Sequence, residues 1–178
     1  MRTLSTLLLA LLISPLALAE RPAKPAVPAT SETAAAESNQ WKGKPYDTRF
    51  QFAALTGLGV MGAGTGFALY GAAAYKILHE GFIDDVNDQT YLEIQAGPLF
   101  VGGPIAANFS MHLRWDFHKN DMWTFYSLGG VGMQLLGTTS NFIYPRIAVG
   151  TMWNLFEFMS FRLEVSHEFM GAGVVWLL

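Results

Sequence analysis

Glu164, Ser166, His167 and Glu168 lie close together near the C-terminus and come nearest in this chain to a hydrolytic constellation. A serine nucleophile needs a histidine within hydrogen-bond reach to take its proton, and a third group to orient that histidine. On a β-strand successive side chains point to opposite faces, so adjacent Ser166 and His167 diverge. The reading is therefore of no catalytic residue, with Ser166, His167 and Glu164 as the residual candidates. His112, Asp116 and His118 share one parity and offer metal-ligand chemistry. Six residues of strand span about 20 Å at 3.3 Å per residue, too far for the two histidines to hold one ion. They read instead as hydrogen-bonded interior residues. Asp84, Asp85, Asn87 and Asp88 have the composition of a calcium loop, but the EF-hand spacing and its terminal glutamate are absent. A solvated acidic turn is the expectation, and no metal or cofactor is implied. Gly57-x-Gly59-x-x-Gly62 matches the dinucleotide-binding fingerprint. That motif should open a helix after a strand, whereas Thr65, Gly66 and Gly71 follow here and make a poor helix.

The elements that must position these residues show a period of two. In Ala107 to His118 (ANFSMHLRWDFH), Ala107, Phe109, Met111, Leu113, Trp115 and Phe117 fall on one face. Asn108, Ser110, His112, Arg114, Asp116 and His118 fall on the other, which is the signature of a strand. Weaker versions run over Arg49 to Met61, Phe67 to Leu78, Thr90 to Phe100, Met122 to Leu135, Ile143 to Trp153, Phe158 to Glu168 and Gly173 to Leu178. With Ala107 to His118 these make eight antiparallel strands, and an all-β closed barrel leaves none of them an exposed edge. The uncharged run Phe50 to Tyr75 is also long enough for a membrane helix. Six glycines between Gly57 and Gly71 would each cost it roughly 0.8–1 kcal/mol relative to alanine. Gly62-Ala63-Gly64 reads better as the first hairpin turn, with Gly57, Gly59 and Gly66 leaving room inside a narrow barrel.

Composition points to the surroundings. Of 178 residues, 51% are apolar and only 14% charged, against about 25% charged in a soluble domain. The net charge of −3 shows no basic stripe for nucleic acid. The absence of cysteine removes disulfides, thiolate metal sites and thiol nucleophiles. Met1-Arg2, an apolar stretch from Leu7 to Ile13 and Ala17-Leu18-Ala19 read as a signal peptide over residues 1–19. Residues 20–47, rich in proline, alanine and small polar residues, read as a disordered periplasmic linker. Residues 48–178 form the barrel.

Parity assigns the faces. Lys76, Glu93, Arg114, Asp116, Arg146, Arg162, Glu164 and Glu168 turn inward as a balanced lumen charge network, with Glu93–Arg114 and Arg162–Glu164 as the leading pairs. Eight strands leave an interior just filled by side chains, so the lumen should be closed. Trp115, Trp123, Trp153 and Trp176 fall at one rim as an aromatic girdle, as where rings sit at a lipid–water interface. The chain ends GAGVVWLL. With Gly173, Trp176 and Leu178 at the expected spacing, this ending resembles the C-terminal insertion signal of bacterial outer-membrane barrels.

Over Thr48 to Leu178 the architecture resembles the small outer-membrane barrels typified by the OmpA transmembrane domain and OmpX. The resemblance implies the outer membrane of a Gram-negative bacterium, contact with its lipid, and the barrel-assembly machinery as a partner during insertion. It names no periplasmic partner for the linker. In that family the longer loops lie away from the termini, whereas here HEGFIDDVNDQT, the longest connection, falls at the rim that holds them. GAG, VGGP, LGTTSN and MGAG at the other rim are brief. The function expected is that of a non-enzymatic barrel contributing to envelope structure or surface interaction. The alternatives are a lipid-modifying barrel enzyme and a soluble exported barrel with an apolar ligand. Lipid A deacylase barrels place a histidine two residues before the serine, a spacing missing here.

Overall fold

The structure, a computed structural model, describes residues 41, 43–61, 64–83, 85–103, 105–136 and 140–178. Residues 1–19, most of the linker, the Gly62-Ala63 half of the first turn and Asp84 lie outside them. Eight antiparallel strands close into a barrel in sequence order. They are β1 (Phe50–Met61), β2 (Gly64–Leu78), β3 (Asp88–Phe100), β4 (Ile105–His118), β5 (Trp123–Leu136), β6 (Ser140–Phe156), β7 (Met159–Ser166) and β8 (Phe169–Leu177). Closure comes from β1 and β8, which pair from Gln51↔Leu177 to Gly59↔Phe169. Burial alternates along the strands, so each presents one face to the lumen and one outward.

The two halves of the wall differ. Inward positions on β8, β1 and β2 are mostly small: Gly171 and Gly173, then Ala53, Gly57 and Gly59, then Ala68, Ala72 and Ala74. The opposite half, β3 to β7, carries the long polar and aromatic side chains that fill the space. A methyl group on Gly59 would lie 2.5 Å from Leu99 Cδ1 of β3, a strand with which β1 does not pair. One of the sequence glycines is thus a gap for a side chain from across the lumen. Tyrosines use the same device between paired strands. Tyr126 is registered opposite Gly150 and Tyr144 opposite Gly132, and each ring lies over its glycine.

Four boundaries differ from the alternation by three residues or more. β2 begins at Gly64, and β6 runs from Ser140 to Phe156. β8 begins at Phe169, so MGAG lies inside a strand and the turn falls at His167-Glu168. Ser166 sets that turn, since its hydroxyl donates to Phe169 O (3.1 Å) and accepts from Phe169 N (2.9 Å). Gly173 belongs in the strand because β1 approaches so closely there that a methyl group would lie 2.0 Å from Ala54 O.

Glycine packing gives a paired expectation. Gly150→Ala places a methyl group about where the Tyr126 ring sits and should cost roughly 1–3 kcal/mol as overpacking. Gly129→Ala, where nothing lies within 4 Å, should stay within about 0.5 kcal/mol of wild type. Urea titration of the folded barrel measures both, and equal costs would contradict the packing described.

Candidate functional site: an alternating ionic chain under a strap

Seven carboxylate and guanidinium side chains in the lumen form one chain of alternating sign, Asp116–Arg114–Glu93–Arg162–Glu164–Arg146–Glu168. Arg114 grips Asp116 with two nitrogens, Nε–Oδ1 at 2.8 Å and Nη2–Oδ2 at 2.9 Å, and bonds Glu93 through Nη1. Arg162 reaches Glu93 from across the barrel with Nη1 and Nη2 at 3.0 and 2.8 Å, and Nη2 lies 2.5 Å from Glu164 Oε2. Arg146 joins Glu164 Oε1 (2.5 Å) to Glu168 Oε1 (2.9 Å). All seven residues are buried. Paired forks of this kind are the strongest hydrogen bonds a protein makes.

Neutral groups satisfy part of the remaining valence, while Arg146 Nε, both Glu168 carboxylate oxygens, His112 Nδ1 and the Gln51 and Gln95 amide nitrogens are buried without a hydrogen-bond partner. Gln51 on β1 accepts from Arg114, Gln95 from Arg146, and the Tyr126 hydroxyl from Arg162 Nε at 2.9 Å. The guanidinium carbons of Arg114 and Arg162 lie 4.7 Å from the ring centres of Tyr91 and Tyr126, within cation–π range. His112 Nε2 is 3.1 Å from Glu93.

Both ends of the chain are closed. At the end away from the termini, Leu55, Ala68, Tyr70, Leu99, Ala106 and Phe169 pack into an apolar plug. At the other end the segment before β1 bends into the mouth as a strap. Tyr46 is 7% exposed. Its hydroxyl donates to Asn154 Oδ1 (2.7 Å) and lies 3.1 Å from Thr124 Oγ1. Gln89 bonds both backbone groups of Tyr46, and Lys76 Nζ donates to the same carbonyl. Burial pushes the Tyr46 phenol above its ordinary pKa, which keeps it a neutral donor.

The strap explains two irregularities and the long connection. Pairing shifts between Lys76 and Leu78 and between Asn154 and Phe156, and such bulges re-aim side chains. Lys76 and Asn154 are the residues that hold Tyr46. The connection His79–Asn87 folds back over the strap, with Asn87 N donating to Trp41 O (2.9 Å) and Asn87 Nδ2 to Gly43 O (2.7 Å). Asp88 accepts from Phe82 N and from the Trp115 indole. The acidic run therefore contributes clamps at Asn87 and Asp88.

The sequence candidates are distributed as follows. Of the eight inward charges seven meet, while Lys76 sits apart at the mouth with Tyr46 and His79. Glu93 touches Arg114, and Arg162 touches Glu164. Ser166 is occupied by the Phe169 backbone. His167 is exposed, with Nδ1 3.0 Å from Glu168, and Glu164 is held by two arginines and lies 3.1 Å from the Tyr126 hydroxyl. Among the described residues no hydrogen bond joins Ser166 to His167. His118 bonds Thr124 and Gln89, away from His112. Trp115, Trp123, Trp153 and Trp176 point outward at the rim of the termini, Trp123 and Trp153 stacked at 5.8 Å. Gly173 faces the lumen, and Leu178 exchanges backbone hydrogen bonds with Phe50. The linker residues Gly43 to Tyr46 had no alternation to mark them.

No protein-family model matches the sequence, and no curated protein shows significant similarity to it.

Removing Arg162 takes one of two arginines from each of Glu93 and Glu164 and leaves the lumen one positive charge short, so Arg162→Met should cost about 3–5 kcal/mol. Adding Glu164→Gln should cost less than the two changes separately, because Glu93 keeps Arg114 and His112 and the excess negative charge is gone. Strict additivity in denaturant titrations would show that the chain is not coupled. Tyr46→Ala should release the strap and speed cleavage before Asp47 by endoproteinase Asp-N roughly a hundredfold, the equivalent of ~3 kcal/mol for a buried aromatic. The strands should remain protected, and an unchanged nicking rate would mean that the strap is held by other contacts.

Proposed function

We propose that this chain is a non-enzymatic outer-membrane β-barrel protein that contributes to envelope structure, with a closed lumen that conducts nothing. One observation carries the reading. Among the described residues, the only Asp, Glu, Lys or Arg at an outward position on the eight strands is Asp88, which opens β3 at the rim of the termini and is buried beneath its bonds to Phe82 N and the Trp115 indole. Phe52, Leu58, Leu69, Ile94, Leu113, Val131, Ile147, Val165 and Met170 are all exposed on that surface. Apolar patches on soluble monomers rarely exceed a few hundred Å², whereas this one encircles the barrel. With charges inside and hydrocarbon outside, the arrangement inverts a water-soluble barrel and suits lipid as the outer solvent.

The rim favours the same reading. Phe50 and Tyr75 (5.1 Å), Trp115 and Phe117 (4.8 Å), and the Trp123–Trp153 stack surround the end of the barrel that carries both termini. In this reading that end is periplasmic, residues 1–19 are removed on export, and the linker is presented to the periplasm. Gly173, Trp176 and Leu178 form the segment that the assembly machinery reads during insertion.

Leu113, 51% exposed on β4, is the test position. Leu113→Arg should lower stability in lipid by about 2–4 kcal/mol, while wild type fractionates with outer membranes and migrates faster unheated than boiled. Recovery of the wild-type protein in soluble periplasmic extract, or full tolerance of the arginine, would overturn the assignment. A change in lipid A mass on expression would replace it with an enzymatic one.

A further inference from the structure

Outside the lumen, a cleft of about 520 Å³ opens at the rim of the termini, lined by Asp47, Arg49, Tyr75, Lys76, Ile77 and His79. Its residues come from two backbone stretches held together by Lys76 N donating to Arg49 O (2.9 Å). One wall is basic: Arg49, Lys76 and His79, with His79 Nδ1 3.3 Å from Lys76 Nζ. Tyr75 and Ile77 form the other wall at outward positions, 43% and 45% exposed.

Charge accounting separates Arg49 from the other described arginines. Arg114, Arg146 and Arg162 are consumed by carboxylates in the lumen. No ion pair among the described residues holds Arg49. The one carboxylate lining the cleft, Asp47, lies 3.7 Å from Lys44. An exposed guanidinium with neighbouring cations, directly beside the Phe50–Tyr75 aromatic pair, is a geometry for a ligand with an anionic head and an apolar body. Guanidinium binds phosphate with two parallel hydrogen bonds, and aromatic rings mark the height at which lipid headgroups sit.

We propose that this cleft binds the phosphate of an anionic membrane lipid, with Arg49 and His79 on the headgroup and Tyr75 and Ile77 against the acyl region. Lys76 adds positive field while fixed to the strap, which couples the site to the closure of the mouth. The proposal rests on the membrane reading given above, and the experiment separates the two.

The mature full-length protein is folded into phosphatidylcholine vesicles with or without phosphatidylglycerol, and the lipids that remain bound after release into detergent are identified by native mass spectrometry. Wild type should retain phosphatidylglycerol in preference to phosphatidylcholine. Arg49→Gln should reduce that preference about fivefold, the equivalent of ~1 kcal/mol per basic residue near an anionic surface. Arg49→Gln/His79→Ala should reduce it further, and Arg49→Lys should restore part of it. Each variant is first shown to keep the folded–unfolded gel shift. Equal retention of both lipids by wild type, or an unchanged preference in Arg49→Gln, overturns the headgroup site and leaves the membrane reading standing. Excess inorganic phosphate that displaces the lipid completely overturns the lipid assignment in favour of a free-phosphate site. Failure of wild type to fold into either vesicle overturns both.

Discussion

A carboxylate or guanidinium withdrawn from water costs several kcal/mol, and only close, complete pairing offsets it. Seven such groups fill the middle of this barrel, and most of the remaining architecture follows from keeping them satisfied. Arg162 must cross the lumen to reach Glu93, so the wall that runs through β8, β1 and β2 is built from glycine and alanine. Gln51, Gln95 and Tyr126 supply some of the bonds that the charges do not supply one another, and the Arg146–Glu168 end of the chain is the least satisfied. Leu55, Leu99 and Phe169 close one end and Tyr46 the other, which keeps the local dielectric low and each pair strong. The same low dielectric makes every partner necessary, since a single missing group leaves a bare charge with no water to solvate it.

The asymmetry between the two ends has the same origin. At the end remote from the termini, apolar side chains complete the plug, and connections of two to four residues suffice. At the other end the closing group is a strap of irregular backbone, whose N–H and C=O groups also need partners. Gln89, Lys76, Asn87, His118 and Asp121 supply them. The connection His79–Asn87 is long because it has to pass over the strap and return to β3. The length of this connection therefore follows its path over the strap.

The sequence made the strands and their faces legible because the side-chain period of a strand is two, and a run such as Ala107 to His118 keeps it without a break. Eight short alternating runs with few connecting residues leave little besides a closed antiparallel barrel. Partner choice was legible only locally: Arg162 and Glu164 share a face two residues apart, and Glu93 and Arg114 lie on neighbouring strands. The Arg162–Glu93 fork spans 69 positions and depends on the stagger of the closed sheet, which no local pattern encodes. Lys76 had the right parity but the wrong neighbours, because a bulge beside it turns the chain toward the strap. Tyr46 was hidden for a different reason. Irregular backbone has no period, and a buried tyrosine in a proline- and alanine-rich stretch looks like any other linker residue.

The sealed lumen also narrows what the protein can do. A pore needs water-filled space along its axis, and here guanidinium forks and an apolar plug occupy that axis. A hydrolase needs an unengaged nucleophile beside its base, whereas Ser166 is spent on the backbone of a turn and Glu164 on two arginines. The described connecting residues at the end opposite the termini carry little charge. They include only His167 and Glu168 as ionisable groups, and Glu168 belongs to the lumen chain. The rim of the termini has the opposite character, with exposed Lys44, Arg49, Glu80, Asp85, Lys119, Asp121 and Glu157 around the point where the linker leaves. Among the described residues the exposed charged groups therefore concentrate on that rim, and the envelope role proposed above would place any polar interaction of the barrel there.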